Sequence, residues 1–423
     1  MRVIIVGCGF AGLKLARSLS KQKGIEVLLI DKNNYHQFQP LFYQVATAGL
    51  DASNISFPIR KIFQDSPNFR FRITTLNEIV AAENKIVTDI GDFNYDILVL
   101  ATGASTNFFG NEKIMNNAFP MKSTSQALAL KYHLIENFEY ALIAKDEEEL
   151  RERMTILIVG GGPTGVELSG SIAEMRKYIL PKDYPELDFS KMNILLVEGS
   201  PETLGAMSEK SSEQSRKYLT ALGVTVKTGT VVKDYDGTTA TLSTGESIRT
   251  KTVLWAAGIK GNVPAGIDAA LIVRGNRIKV DRYNKITGTE NMYAIGDIAY
   301  METPKYSHGH PQLANVAINQ GKNLAINLKH QVDGNKHLQK EFEYHDKGAM
   351  ATVGRNLAVV DIPKPKIHLG GWIAWLIWMS VHIVLILGVK NKLQIFINWL
   401  YKYFTYDQNL RLIIRNSYRT EKP

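Results

Sequence analysis

Apolar residues occur in short blocks, each followed by small residues and then by helical spacing. Val3–Val6 leads into Gly7-Cys8-Gly9-Phe10-Ala11-Gly12, and Ile156–Val159 into Gly160-Gly161-Gly162-Pro163-Thr164-Gly165. Unbroken apolar blocks of this length predict strands buried on both faces, as in parallel sheets. Each glycine run predicts a tight turn into a helix whose N-terminus can hold a pyrophosphate. Val27–Ile30 ends at Asp31, and Ile194–Val197 at Glu198. Ile97–Leu100 runs into Ala101-Thr102-Gly103, Val253-Leu254-Trp255 into Ala256-Ala257-Gly258, and Tyr293-Ala294-Ile295 into Gly296-Asp297. Helical spacing covers about Met121–Arg153 and about Gln312–Lys329, and a last strand is expected near Met350–Val353.

This nested order predicts an α/β chain of two Rossmann-like dinucleotide-binding domains, one inserted in the other. Residues 1–120 and 266–365 form the first, and 121–265 the second. Residues 366–423 form a C-terminal helical, membrane-anchoring region. Asp31 follows Gly7 by 24 positions, where a strand-end carboxylate can accept from a ribose hydroxyl. Glu198 follows Gly160 by 38 positions, with Pro181, Lys182, Asp183 and Pro185 in the extra length. A carboxylate there repels a 2′-phosphate, which favours NADH over NADPH. Small residues at Ala101–Gly103 and Ala256–Gly258 let backbone approach a cofactor closely. Asp297 is either a cofactor ligand or an ordinary helix cap. Two dinucleotide sites in one chain suit electron transfer from a nicotinamide to a flavin.

The 423 residues, 45% hydrophobic and 22% charged, suffice for two or three globular domains. Cys8 is the single cysteine, so an intrachain disulfide, a cysteine-pair relay and a thiolate metal cluster are all excluded. It reads as a small packed residue in the turn rather than a reactive thiol. The chain enters its first strand at once, leaving no room for a signal peptide, so a location in the cytoplasm or on the cytoplasmic membrane face is expected.

The net charge of +9 is concentrated. From Lys364 onward nine basic residues oppose two acidic ones, leaving +7 in this tail and +2 elsewhere. Such a tail suits nucleic acid or an anionic membrane, and its contents favour the membrane. Ile367–Val389 holds no Asp, Glu, Lys or Arg, and carries Trp372, Trp375 and Trp378. His382 and flanking glycines argue against a span. Beyond it, Gln394, Asn398 and Lys402 share one helical face, and Leu393, Phe396, Ile397, Leu400 and Phe404 the other. An amphipathic helix with tryptophans and basic flanks predicts monotopic attachment to a lipid bilayer surface.

The two fingerprints, the segment Tyr35–Ala48, Ala294–Asp297, Asp346–Thr352 and Gly388–Leu393 together resemble the type II NADH dehydrogenases. These are single-subunit NADH:quinone oxidoreductases that pump no protons. The resemblance covers nearly the whole chain. It implies non-covalent FAD in the first site, NADH in the second, and hydride transfer to the flavin followed by two-electron reduction of a membrane quinone. It implies a homodimer and no nucleic-acid partner. Around FAD it places Gly7, Gly9, Phe10, Ala11, Gly12, Asp31, Lys32, Thr47, Ile79, Ala101, Thr102, Gly103, Gly296, Asp297, Gln312, Leu313 and Ala314. Around NADH it places Gly160, Gly162, Pro163, Thr164, Gly165, Glu167, Glu198, Ala257 and Gly258. Gln44, Asn315, Asn319 and Lys347 fall to the quinone, and Glu167, Lys347 and Thr47 to catalysis. As bare residues, Thr47 could cap a helix, Lys347 could be a surface charge, and Glu167 could favour a helix dipole at the start of its helix. Asn315 and Asn319 stand where the family commonly has glutamines, i and i+4 on one helical face. A sulfide:quinone oxidoreductase needs reactive cysteines that are missing. A redox sensor, or a flavin reductase with a protein acceptor, remain the alternatives.

Overall fold

The computed structural model describes residues 1–408 and 410–414. Arg415, Arg419, Glu421 and Lys422 of the basic tail lie outside the described residues. Contacts divide the chain into two compact units. The first holds Met1–Gln37, Ser56–Ser105 and Ile259–Asp346, and the second Phe38–Ile55, Thr106–Gly258 and the chain from Lys347 onward.

In the first unit five parallel strands lie in the order Met292–Ala294, Ile97–Leu100, Arg2–Val6, Glu26–Asp31 and Phe69–Ile73. Ile4, Val6, Leu28, Ile30, Leu98 and Leu100 form part of its buried core, as unbroken apolar strands require. The Ala314–Val332 helix crosses the Phe10–Leu19 helix closely. A Cβ on Gly321 would stand 2.5 Å from the Ala11 carbonyl oxygen.

The second unit repeats the plan. Its parallel order is Phe119–Pro120, Thr252–Trp255, Thr155–Val159, Asn193–Val197 and Thr225–Lys227. The Pro163–Tyr178 helix packs on an antiparallel sheet of Ala349–Gly354, Leu357–Ile362 and Ile367–Gly370. A Cβ on Gly170 would fall 1.5 Å from the Val353 carbonyl oxygen, so only glycine permits this approach. Phe119 and Pro120 pair with Leu254 and Trp255, and the sheet after residue 347 packs on the Pro163–Tyr178 helix.

The helical stretch expected over 121–153 is two helices, Thr124–Ala141 and Glu147–Arg153. The Asp146 side chain caps the second, whose acidic run fills the first turn, where the helix dipole favours it. Ile367–Val389 is likewise broken, into the strand Ile367–Gly370 and the helix Gly371–Leu385. Among the described residues no helix is long and apolar enough to cross a membrane. Trp378 is only 2% exposed and stacks on His382 at 4.0 Å, so it belongs to the core and not to an interfacial belt. Trp375 stacks on Tyr403, and Trp372 alone of the three is exposed.

The Val389–Thr405 helix is amphipathic with its polar face inward. Asn391 donates to the Ser53 and Asn54 carbonyls, and the Asn54 amide pairs with Gln394 and Asn398. Leu393, Phe396, Ile397, Leu400 and Phe404 are exposed, Phe404 by 72%.

Candidate functional site

The two glycine turns are built alike. The Gly7 amide donates to the Ile30 carbonyl and the Gly160 amide to the Val197 carbonyl, both at 2.8 Å. Gly7 and Gly160 have φ of +104° and +107°, a region that favours glycine. A Cβ on Gly12 would lie 1.9 Å from the Gly7 carbonyl oxygen, and one on Gly165 1.9 Å from that of Gly160. Each strand-end acid clamps its own turn. Asp31 accepts from the Cys8 and Asn33 amides at 2.7 and 2.8 Å. Glu198 accepts from the Gly161 amide and, at 2.7 Å, from that of Ser200. Burial pushes the Asp31 carboxyl up, against the Asn33 and Cys8 amides and Lys32. Burial, with Asp31, raises the Cys8 thiol, so this cysteine is no ready nucleophile.

Both turns fit a dinucleotide. The Phe10–Leu19 and Pro163–Tyr178 helices start at Gly9 and Gly162 with no side-chain cap and no acid in the first turn. Ser123, Asp146 and Ser208 cap other helices. A Cβ on Gly9 or Gly162 would meet nothing within 4 Å. Open space over uncapped N–H groups is what a pyrophosphate needs.

In the first unit, Ala101 donates to the Val6 carbonyl at 2.8 Å, and Thr102 donates to the Asn262 carbonyl at 2.8 Å. Asn262 returns an amide bond to Gly103. The Gly296 amide donates to Gln320 at 2.7 Å, and Gln312 donates to the Asp297 carbonyl at 2.9 Å. Thus Gly296, Asp297, Gln312, Leu313 and Ala314 come together at the start of the Ala314–Val332 helix. His36 donates from Nδ1 to the Cys8 carbonyl at 2.8 Å and meets Phe10 edge-on. Lys32 is exposed. Ile79 is buried in the core, with its amide bonded to the Ala265 carbonyl. The Asn319 amide donates to the Asn315 carbonyl at 2.7 Å, so part of its donor capacity is spent within its helix.

The second unit holds Gln44, Thr47, Glu167 and Lys347. Lys347 is exposed at the head of the Ala349–Gly354 strand. Ala257 and Gly258 follow the Thr252–Trp255 strand beside the Gly160 turn, whose Cβ position is 2.7 Å from the Ala256 carbonyl carbon. Glu167 lies in the second turn of its helix, one turn beyond the helix start expected for it. It is 8% exposed. Burial pushes its carboxyl up to about 8, against smaller opposing effects of the Thr352 amide and the Trp378 indole. It therefore carries its proton at neutral pH. The Thr47 hydroxyl donates to the Tyr43 carbonyl at 2.8 Å and receives the Ser171 hydroxyl at 2.8 Å.

Glu167, Ser171 and Glu174 line one side of a cavity of about 70 Å³. Trp375, Trp378 and Trp399 supply its aromatic wall, and Tyr43, Gln44, Arg355 and Lys402 are among its other polar groups. An aromatic wall facing several polar groups suits a flat ligand with polar substituents.

Residues 1–321 match the pyridine nucleotide-disulphide oxidoreductase family, and residues 346–406 match the NDH2 C-terminal domain. A type II NADH:quinone oxidoreductase of Mycobacterium tuberculosis is 33% identical over 94% of this chain and 87% of its own length. The chain belongs to the type II NADH:quinone oxidoreductase family. With a Plasmodium falciparum NDH2, solved with NADH, it shares the fold at a TM-score of 0.88 and 20% identity, covering 98% of this chain and 99% of the other. A sulfide:quinone oxidoreductase of Aquifex aeolicus follows at 0.71 and 17% identity, covering 95% of both chains. Cys8 is the single cysteine and is buried, so the chain holds no internal disulfide.

Sequence reasoning missed Tyr43, Ser171, Glu174, Arg355 and Trp399. Ser171 and Glu174 were within reach, because positions 167, 171 and 174 share one helical face. The others meet only through tertiary packing.

Proposed function

We propose that this chain transfers two electrons from NADH to a membrane quinone without pumping protons. The observation that carries the reading is the duplicated, acid-clamped and uncapped glycine turn. FAD, bound non-covalently at the Gly7 turn, would supply the two-electron chemistry linking the two substrates. The Gly160 turn and Glu198 would hold NADH, and the tryptophan-walled cavity would receive the quinone head. Within it the protonated Glu167 faces the ligand as a proton donor, and Gln44 lines its wall. The exposed apolar face of the Val389–Thr405 helix would rest on the cytoplasmic face of the bilayer. In the purified protein, NADH should bleach a flavin band near ~450 nm and a short-chain benzoquinone should restore it quickly. Bleaching without recovery favours a sensor or a protein acceptor, and absence of the band refutes the first site.

Two further outcomes are expected. Glu198→Ala should lower the preference for NADH over NADPH by about tenfold in kcat/KM, because it removes a negative charge and frees two amides for a 2′-phosphate. Phe396→Glu with Phe404→Glu should weaken cosedimentation with anionic vesicles by at least ~10-fold, because two phenyl groups no longer leave water. Unchanged ratios or pelleting would refute each assignment.

A further inference from the structure

The quinol formed from quinone gains two electrons and two protons. NADH brings the electrons and one proton as hydride, so the second proton comes from solvent. Glu167 is 8% exposed and needs a route for its replacement.

The Trp399 indole N–H donates to Gln44 Oε1 at 2.7 Å. An indole nitrogen only donates, which fixes the Gln44 amide. Its Nε2 then donates to the Tyr43 hydroxyl oxygen at 2.8 Å. The Tyr43 O–H is thereby left to donate elsewhere than to Gln44, and Tyr43 lines the same cavity as Glu167 and Glu174. Burial and the neighbouring charge of Glu167, then that of Glu174, push the Tyr43 hydroxyl well above the usual phenol range, so it keeps that hydrogen. Glu174 lies two turns along the helix from Glu167, on the same face. Its Oε2 is 3.5 Å from Lys402 Nζ, and the Lys402 side chain is 28% exposed against 12% for Glu174. Its Oε1 accepts the Arg355 amide. The groups facing Glu174 are thus Lys402 from the C-terminal helix, Arg355 from the turn after Gly354, Tyr43, and Glu167 on its own helix. The Arg355 guanidinium is held over the Tyr403 and Tyr406 rings at 4.1 and 3.9 Å.

We propose that Glu174 and Tyr43 form a proton relay that reloads Glu167 from solvent during quinone reduction. This rests on the quinone reading of the cavity. The Glu174 carboxylate takes a proton beside Lys402. The Tyr43 hydroxyl, alone or with cavity water, accepts it and passes its own hydrogen to Glu167. The Glu167 O–H bond breaks as the quinol O–H bond forms, and one solvent proton is consumed per quinol.

The test uses stopped-flow absorbance on the flavin-loaded enzyme, with a short-chain benzoquinone as oxidant. Reduction by NADH needs no proton from this route and serves as the internal reference. Glu174→Gln should slow reoxidation at least ~10-fold near pH 8 and less than ~2-fold near pH 6, where solvent protons are abundant. Added imidazole should restore part of the rate. Tyr43→Phe, which keeps the ring packing, should reproduce the pH-dependent defect should the glutamine variant misfold. Wild-type reoxidation profiles in both variants, or a defect equal at every pH, would overturn the relay. Failure of wild-type enzyme to be reoxidised by quinone would instead refute the quinone reading.

Discussion

Gly12→Ala is expected to purify folded but with flavin absorbance near ~450 nm reduced more than ~10-fold. The added Cβ would stand 1.9 Å from the Gly7 carbonyl oxygen and 3.2 Å from the Ala101 Cβ. The nearest clash is with backbone, which cannot rotate away as a side chain can. The helix must move off the turn, and the N–H groups that would meet the pyrophosphate move with it. Gly165→Ala carries the same 1.9 Å clash, against Gly160, and separates the two sites. That variant should keep its flavin band but lose bleaching by NADH. Absorbance together with circular dichroism checks both. A flavin-replete Gly12→Ala protein would refute the assignment of the first turn.

Glu167→Gln is expected to slow quinone-driven reoxidation by about 10²-fold, while a shape-conserving amide keeps the packing. In the unsubstituted enzyme reoxidation should fall as pH rises through about 8, where Glu167 loses its proton. The same residue links pH to stability. Its folded carboxyl lies above the ordinary value of 4.5, so the folded state holds a proton that the unfolded state releases. That stabilisation is complete below the unfolded value and is lost as pH rises through the folded one. Between about pH 6 and pH 9 the wild-type Tm should therefore drop further than that of Glu167→Gln. Equal drops, with unchanged reoxidation, would place Glu167 outside the chemistry.

The duplicated turns were legible because local sequence builds them: an apolar strand, glycines where a Cβ meets backbone, and an acid at the next strand end. Other positions were not legible from spacing. Trp378 lies under His382 rather than at an interface. The helical stretch over 121–153 divides because Asp146 restarts a helix, a cap overlooked beside the run of acids that follows it.

From sequence alone come the two dinucleotide turns, their acids, the absence of any cysteine pair, and a C-terminal helix with two unlike faces. These follow from unbroken apolar runs, from the 3.6-residue helical period and from steric limits within a few residues. Only the tertiary structure decided which face of that helix points inward, because the Ser53 and Asn54 carbonyls that accept from Asn391, and the Asn54 side-chain amide that pairs with Gln394 and Asn398, lie more than 330 residues away in the chain. It alone brought Tyr43, Glu167, Glu174 and Lys402 around one cavity. Burial gives Glu167 its proton at neutral pH, and burial is a property of the packed chain that no local pattern carries.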